Sequence, residues 1–399
     1  MADQLLIDLF QAYYDARANK RNSTNALEFE INYEQNIFQL YRELKSGTYQ
    51  IGRSVAFIVF KPVQREIIAS PFRDRIIHHL LFNYINPIFE PLFINDSYSC
   101  RRGRGTTYGI KRMAHFIRSS SNNYQKNFFI LKLDLAGYFM SINHQQLYDR
   151  IVGRLLKEKN NCSFDLNLIL ELLRKIIFNN YTHNCIVRGG RDSWRGLPAN
   201  KSLFFNPPGI GLPIGNLTSQ LFSNIYLNSF DHFAKRVLRL KYYGRYVDDF
   251  VIISVDKERL KLFISQARDY LSGLGLKLHP KKIYLQSGRK GVDFLGAIIR
   301  PRRIYVRHRT KSSFYRFVTE VNGIFKNKEI NKPILYKILA GINSYLGLLA
   351  QHQTYYLRRK ILTAKLNSVF WKFFRLAGGK GKYRKVILKK MFVGLYLGQ

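Results

Sequence analysis

Apolar positions along the chain change their spacing several times, and each change marks an element. Ile76, Ile77, Leu80, Leu81, Tyr84 and Ile85 recur at three- and four-residue intervals, which predicts a helix over 71–90 with one buried stripe. Ser70 is placed to cap it, and Pro71 suits the first helical position, where no backbone N–H is needed. The nearly unbroken run Phe128-Phe129-Ile130-Leu131-Lys132-Leu133 predicts a buried strand ending at Asp134. Phe222, Ile225, Phe230, Phe233 and Val237 predict a helix over 217–240. Two strand-like runs, 242–247 and 250–255, meet through Asp248-Asp249 as a hairpin. Asp256 then caps a helix carrying Leu260, Phe263, Ile264, Ala267 and Leu271, which Gly273 and Gly275 terminate. The order over 128–300 is strand, helices, loop, helix, hairpin, helix, strands, a mixed α+β layer rather than a βαβ repeat.

Two stretches depart from this pattern. Residues 179–215 are rich in Gly, Pro, Asn and Arg, with Gly189-Gly190-Arg191 and Pro207-Pro208-Gly209. A loop of that length inside a folded region is usually functional or mobile. Residues 300–399 hold 23 Lys and Arg against only Glu320 and Glu329, yet Ile334, Ile338, Ile342, Tyr345 and Leu349 keep helical spacing. The tail therefore reads as a folded basic helical lobe and not as a solvated charge run.

Composition sharpens the choice of partner. The 399 residues include 65 Lys and Arg and 26 Asp and Glu, a formal charge of +39, with 46% hydrophobic residues. That much apolar surface excludes disorder for most of the chain, and the excess of base calls for a polyanion. No apolar run reaches the ~18 residues of a membrane span, and no secretion leader is expected from the N-terminus. Cys100, Cys162 and Cys185 are too widely spaced for a disulfide framework or a zinc knuckle, so a reducing cytoplasm fits. The bases are interleaved with aromatics, which favours nucleic acid over membrane.

In so basic a chain, Asp134 at the end of an apolar strand and Asp248 and Asp249 at the tip of an apolar hairpin need compensation. Lys or Arg partners, or a simple turn, are the plain alternatives. If adjacent strands bring Asp134 beside Asp248, the acids offer hard oxygen ligands for divalent magnesium. Two such ions about 3.5–4 Å apart activate a 3′-hydroxyl and stabilise a departing pyrophosphate.

Tyr246-Val247-Asp248-Asp249 resembles the Tyr-x-Asp-Asp signature of reverse transcriptases, and its companions stand in the right order. They are Lys61-Pro62-Val63-Gln64-Arg65-Glu66-Ile67, Ser70-Pro71-Phe72-Arg73-Asp74-Arg75, Asn95-Asp96-Ser97-Tyr98, and Leu133-Asp134-Leu135-Ala136-Gly137-Tyr138-Phe139. Leu278-His279-Pro280-Lys281-Lys282 and Phe294-Leu295-Gly296 complete the set. The resemblance covers about residues 50–300. It implies a right-hand polymerase of α+β class: fingers over 31–125, a palm of antiparallel sheet backed by helices over 126–300, and a basic helical thumb over 301–399. Residues 1–30 form a helical extension. Asp134, Asp248 and Asp249 match the catalytic, metal-binding acids, with the Leu135 carbonyl a further ligand. The implied cofactor is magnesium, two ions, with manganese able to substitute. Phe139 matches the steric gate against a ribose 2′-hydroxyl. Lys61 and Arg65 match the cations that meet the triphosphate of an incoming dNTP, and Lys281 a basic position facing phosphate.

Gly211-Leu212-Pro213-Ile214-Gly215-Asn216-Leu217-Thr218-Ser219-Gln220 narrows the resemblance. Many reverse transcriptases carry Gln-Gly where this chain has Ile214-Gly215, and Ser-Pro where it has Ser219-Gln220. The pattern with Ile214 and Gln220 is similar to the enzymes of diversity-generating retroelements, as are Trp194, Leu197-Pro198, Lys201-Ser202-Leu203-Phe204 and Ser344-Tyr345-Leu346-Gly347. That subfamily implies copying of a template RNA into cDNA with errors at template adenines (mutagenic retrohoming), an RNA/cDNA hybrid in the groove, and a pentameric helical accessory variability protein. A bacterial, archaeal or phage setting is implied with it. The competing expectations are a group II intron-like or defence-associated reverse transcriptase, and a non-catalytic RNA-binding scaffold.

Overall fold

The apolar periodicities above become elements whose ends are set by local caps and turns. The computed structural model describes residues 3–18, 23–61, 63–183, 185–327, 330–378 and 383–390; Pro62 of the nucleotide-facing motif and Glu329 of the basic tail lie outside the described residues. Helices α1 (Gln4–Arg17), α2 (Thr24–Glu30) and α3 (Tyr33–Lys45) precede strands β1 (Val55–Val59) and β2 (Arg65–Ala69). Then come α4 (Phe72–Phe89), α5 (Thr106–Ser120), β3 (Phe129–Asp134), α6 (His144–Lys157), α7 (Leu166–Phe178) and the short β4 (Ile186–Val187). The chain continues through α8 (Leu217–His232), β5 (Tyr242–Tyr246), β6 (Asp249–Ser254) and α9 (Lys257–Gly273). Strands β7 (Tyr284–Ser287), β8 (Val292–Phe294), β9 (Ala297–Arg300) and β10 (Arg303–Val306) lead into α10 (His308–Asn327), α11 (Lys332–Ala350) and α12 (Tyr355–Ala364). A last hairpin pairs β11 (Phe374–Leu376) with β12 (Val386–Leu388). The fold is α+β.

Two details differ from expectation. Pro71, not Ser70, takes the capping position of α4, and no side chain closes that end. The Ser70 hydroxyl is instead 3.1 Å from His78 Nε2, while His78 Nδ1 lies 2.8 Å from Thr218 Oγ1. Burial drives the His78 pKa down to about 3, so a neutral imidazole ties α4 to α8. The helix foreseen over 217–240 also stops early, and Phe233–Val237 forms a wider π turn.

The chain divides into two compact units, Met1–Gly105 with Leu131–Ile252 and Lys257–Tyr284, and Thr106–Ile130 with Ile253–Asp256 and Leu285–Gln399. In the first, α8 is buried along most of its length. Phe230 centres its packing, with ring centroids 5.3 Å from Phe250 of β6 and 6.2 Å from Phe263 of α9. Helices thus back the neighbouring strands β5, β6 and β3. A separate sheet of order β2-β1-β4 pairs β1 with β2 antiparallel, placing Val59 opposite Arg65, and with β4 parallel.

In the second unit β8, β9 and β10 form an antiparallel sheet, with α5 against β9. Phe314, Ile338, Ile342, Leu346 and Phe370 belong to a core shared by α10–α12 and the last hairpin. Contrary to the sequence expectation, one element among the described residues, α11, is long and apolar enough to cross a membrane by length and composition. Its stripe Leu335, Ile338, Ile342, Leu346 and Leu349 is buried in this core. At Gly341 the helices approach so closely that a Cβ would stand 2.2 Å from Phe317 Cζ. Gly341→Ala should therefore destabilise the protein by about 1–3 kcal/mol, because the ring must leave its rotamer; urea unfolding measures it, and an unchanged midpoint would contradict this packing.

Candidate active site

Adjacency of β3 and β6 brings the three predicted acids to one end of the sheet. Asp134 is the last residue of β3 and Asp249 the first of β6, while Asp248 lies in the turn leaving β5. The Asp248 carbonyl accepts from Leu135 N at 3.3 Å, and the Asp134 carbonyl from His279 N at 2.8 Å. Asp248 is half-buried. Burial, then the neighbouring charges of Asp134 and Asp249, push its carboxyl up to about 6.

The flanking acids have lysine partners. Lys282 Nζ lies 3.0 Å from both oxygens of Asp134, and Lys132 Nζ lies 3.0 Å from Asp249 Oδ2. The plain alternative raised by the sequence is thus realised for two of the three carboxylates. Among the described residues no three His, Cys, Asp or Glu side chains form a ready-made metal group. The donor set nevertheless suits magnesium: the oxygens are hard ligands, and the crowding of negative charge on Asp248 is what a divalent cation relieves. An ion held there would take the place of the lysines on Asp134 and Asp249.

A buried ion pair holds the turn that carries Asp248. Arg245 and Asp231 are both fully buried, with Arg245 Nε 2.8 Å from Asp231 Oδ1 and Nη2 2.7 Å from Oδ2. The Tyr243 hydroxyl donates to Asp231 Oδ1 at 2.6 Å. Arg245 Nη1 reaches on to the Val247 carbonyl at 2.9 Å, and Nη2 to Ser97 Oγ at 3.2 Å. Val247 has φ 56, a left-handed conformation costly for a β-branched residue, and the guanidinium fixes its carbonyl there. Arg245 N and O also bond Asp96 O and Tyr98 N, at 2.8 and 2.9 Å, so the Asn95-Asp96-Ser97-Tyr98 motif braces the same strand.

The predicted nucleotide-side residues fall into two groups. Phe139 and Ile214 are half-buried and pack against one cluster of Ala56, Ile68, Met140, Tyr181 and Leu203. Ile68 N donates to the Ile214 carbonyl at 3.0 Å. Next to it Gly215 has φ 140, and a Cβ there would stand 2.9 Å from the Ile68 carbonyl oxygen, so only glycine admits this approach. Leu135 is buried beside Asp134. Lys61, Arg65, Gln220 and Lys281 are exposed, the first two flanking the tip of the β1–β2 hairpin. Lys281 N bonds His279 Nδ1 at 3.2 Å, and its neighbour Lys282 is the residue that reaches the Asp134 carboxylate.

Sequence reasoning missed Lys132, Lys282, the Arg245–Asp231 pair and Glu66. Glu66 is only 1% exposed, and accepts from Trp194 Nε1 at 2.7 Å, from Leu203 N at 2.7 Å and from Ser202 Oγ. Three donors from the 179–215 segment thereby compensate one buried carboxylate of β2. The available signal was a charged residue inside an apolar strand, which Lys132 and Arg245 both are.

Residues 63–299, more than half of the chain, match the family described as reverse transcriptase (RNA-dependent DNA polymerase). The chain belongs to that family. It is similar to the nuclear intron maturase 4, mitochondrial, of Arabidopsis thaliana, 22% identical over 198 residues that cover 49% of this chain and 20% of the maturase. Among solved structures it is similar to apo telomerase from Candida tropicalis (TM-score 0.47, 12% identity, 82% of this chain and 62% of that one). A telomerase from Candida albicans, in complex with the TWJ fragment of telomeric RNA, gives a TM-score of 0.45 at 12% identity, over 78% and 60% of the two chains. These structural likenesses are loose. The chain spans a fifth of the maturase and about three fifths of each telomerase.

Folding raises the affinity of the Asp248 carboxyl for a proton, so the metal-free protein loses stability as pH rises from about 4 through 6. Asp248→Asn removes that penalty. In EDTA at pH 7 it should raise unfolding stability by about 1–2 kcal/mol, and the gain should shrink toward pH 4. Urea midpoints at the two pH values measure it; a destabilised variant at pH 7 would contradict the crowding of charge.

Proposed function

We propose that the protein is an RNA-directed DNA polymerase that copies a template RNA into cDNA by adding deoxynucleotides to a 3′-end. The observation that carries this reading is the convergence of Asp134, Asp248 and Asp249 at one end of the sheet in a chain of the reverse transcriptase family. Asp134, Asp248 and Asp249 would hold two magnesium ions, with the Leu135 carbonyl beside them. When bound, the ions supply Lewis-acid activation of the 3′-hydroxyl and charge stabilisation at the leaving pyrophosphate. Arg245 keeps the turn in shape while the acids change partners. Lys61 and Arg65 bind the triphosphate, and the Phe139 ring excludes a 2′-hydroxyl. Gln220 and Lys281 line the nucleotide and phosphate side. In this reading fingers, palm and thumb occupy 31–125, 126–300 and 301–399.

The finer assignment is to a diversity-generating retroelement, with mutagenic retrohoming in the cytoplasm of a bacterial, archaeal or phage system and a pentameric accessory variability protein as partner. Ile214 and Gln220 support it. Ile214 packs its side chain and offers no hydrogen bond, and one lost bond forfeits about 0.5–1.5 kcal/mol. That is up to about tenfold in discrimination. The likeness to an intron maturase favours the second reading, an intron-linked reverse transcriptase.

Two experiments test these levels separately. In magnesium, Asp134→Asn and Asp248→Asn chains should each lose primer extension on RNA by at least about 10³-fold, by analogy with loss of transition-state charge stabilisation; wild-type cDNA yields would overturn the polymerase reading. Sequencing cDNA made on a defined RNA should show fewer errors opposite adenine for Ile214→Gln; an unchanged spectrum would remove Ile214 from the retroelement assignment.

A further inference from the structure

The second unit gathers bases with few acids to balance them. Between Asp96 and Asp134 the sequence has no Asp or Glu, and over 286–305 it has only Asp293, whose Oδ2 accepts from Arg307 Nε at 2.7 Å. Three surface turns draw these two stretches together. Gly288 N donates to the Phe128 carbonyl at 2.7 Å, and Arg289 Nη2 approaches Asn127 Oδ1 at 3.4 Å. The Arg302 guanidinium lies 5.5 Å from the Tyr124 ring centroid. Arg300 and Arg303 face each other across β9 and β10, and a Cβ on Gly291 would stand 2.6 Å from Arg300 Cγ. Lys126, Arg289, Lys290, Arg300, Arg302 and Arg303 are all exposed.

The backbone of this patch is strained where the charges are presented. Asn122, Asn123 and Tyr124 have φ of 47, 56 and 70, and Arg302 has φ 64 in the two-residue turn Pro301-Arg302. Asparagine tolerates that region; tyrosine and arginine do so at a cost, and glycine would relax it. Arg118 Nε, 2.7 Å from Asn123 Oδ1, and Tyr124 N, 2.8 Å from Ser121 Oγ, hold the first turn in place. Like-charge repulsion and left-handed backbone both oppose folding here, and a polyanion offsets the first of them.

We infer that this patch is a binding site for the phosphodiester backbone of base-paired RNA. Sites for single strands offer bare aromatic faces on which bases stack. Here the half-buried Tyr124 ring has Arg302 5.5 Å from its centroid, and the Tyr305 ring, which stays exposed, has Arg300 at 5.9 Å. The patch thus presents one exposed ring, Tyr305, among six exposed guanidinium and ammonium groups, a balance that favours reading the phosphates and shape of a duplex over stacking on successive bases. The inference rests on the reading of the chain as an enzyme that works on RNA, and names a second place where folded RNA is held.

The test is fluorescence anisotropy of the full chain with a labelled RNA hairpin of 16 base pairs and with an unstructured RNA of equal length, across a potassium chloride series. The R289A/R300A/R302A variant should bind the hairpin at least about tenfold more weakly and reduce its log–log salt slope by about 2–3, while the single strand changes little. Arg302→Gly should weaken hairpin binding yet keep or raise the melting temperature, because it removes left-handed strain. Unchanged hairpin affinity and slope in the triple variant would overturn the site, and so would an equal loss on both RNAs. Extension of oligo(dT) on unstructured poly(rA), run in parallel, tests the polymerase reading alone: failure of the wild-type chain there would sink that reading and leave the hairpin result standing.

Discussion

Burying a guanidinium and a carboxylate costs several kcal/mol per ion unless nearly every donor and acceptor is met. The Arg245–Asp231 pair meets that demand with Tyr243 and the Val247 carbonyl from the stretch of Arg245 itself and with Ser97 from a remote one. Because one arm of the guanidinium ends on Val247, the strained residue just before Asp248, the electrostatics of the interior set the position of the candidate catalytic turn. An apolar pair of the same volume would fill the space without holding that carbonyl. The value of the ion pair lies in where it points.

The same accounting of charge explains the carboxylate cluster. Three acids meet where two strands end, and the fold leaves Asp248 to bear the repulsion while Lys282 and Lys132 neutralise its neighbours. Lysine suits this role, since a point charge on a flexible stem exchanges readily for another cation. A rigid bidentate arginine would hold its carboxylate more tightly. The contrast between Arg245, buried, and Lys282, exposed, separates what must stay from what must give way.

The long 179–215 segment belongs to the same design. Its Trp194, Ser202 and Leu203 converge on Glu66, and β4 within it adds to the sheet of β1 and β2. A stretch that composition marks as irregular is therefore ordered by one buried carboxylate and one added strand. Ile214 and Gly215 at its end are pressed against Ile68, which joins the residues that face the nucleotide in the proposed reading to the floor of the hairpin bearing Lys61 and Arg65.

Local pattern alone determined α4, α9, the helical character of the basic tail, the buried strand ending at Asp134, the hairpin around Asp248-Asp249 and the α+β class, while running α8 too far, because side-chain period and turn chemistry act over a few residues. It also singled out the three acids, since carboxylates in apolar strands are costly wherever they meet. Tertiary structure decided which charge answers which. Lys282 and not Lys281 reaches Asp134, Arg245 chooses Asp231, and Glu66 collects donors from more than a hundred residues away. It likewise decided that α11, apolar enough in composition to cross a membrane, buries its stripe in a core of its own unit. Pairings of this kind depend on distances between remote stretches, which spacing along the chain does not encode.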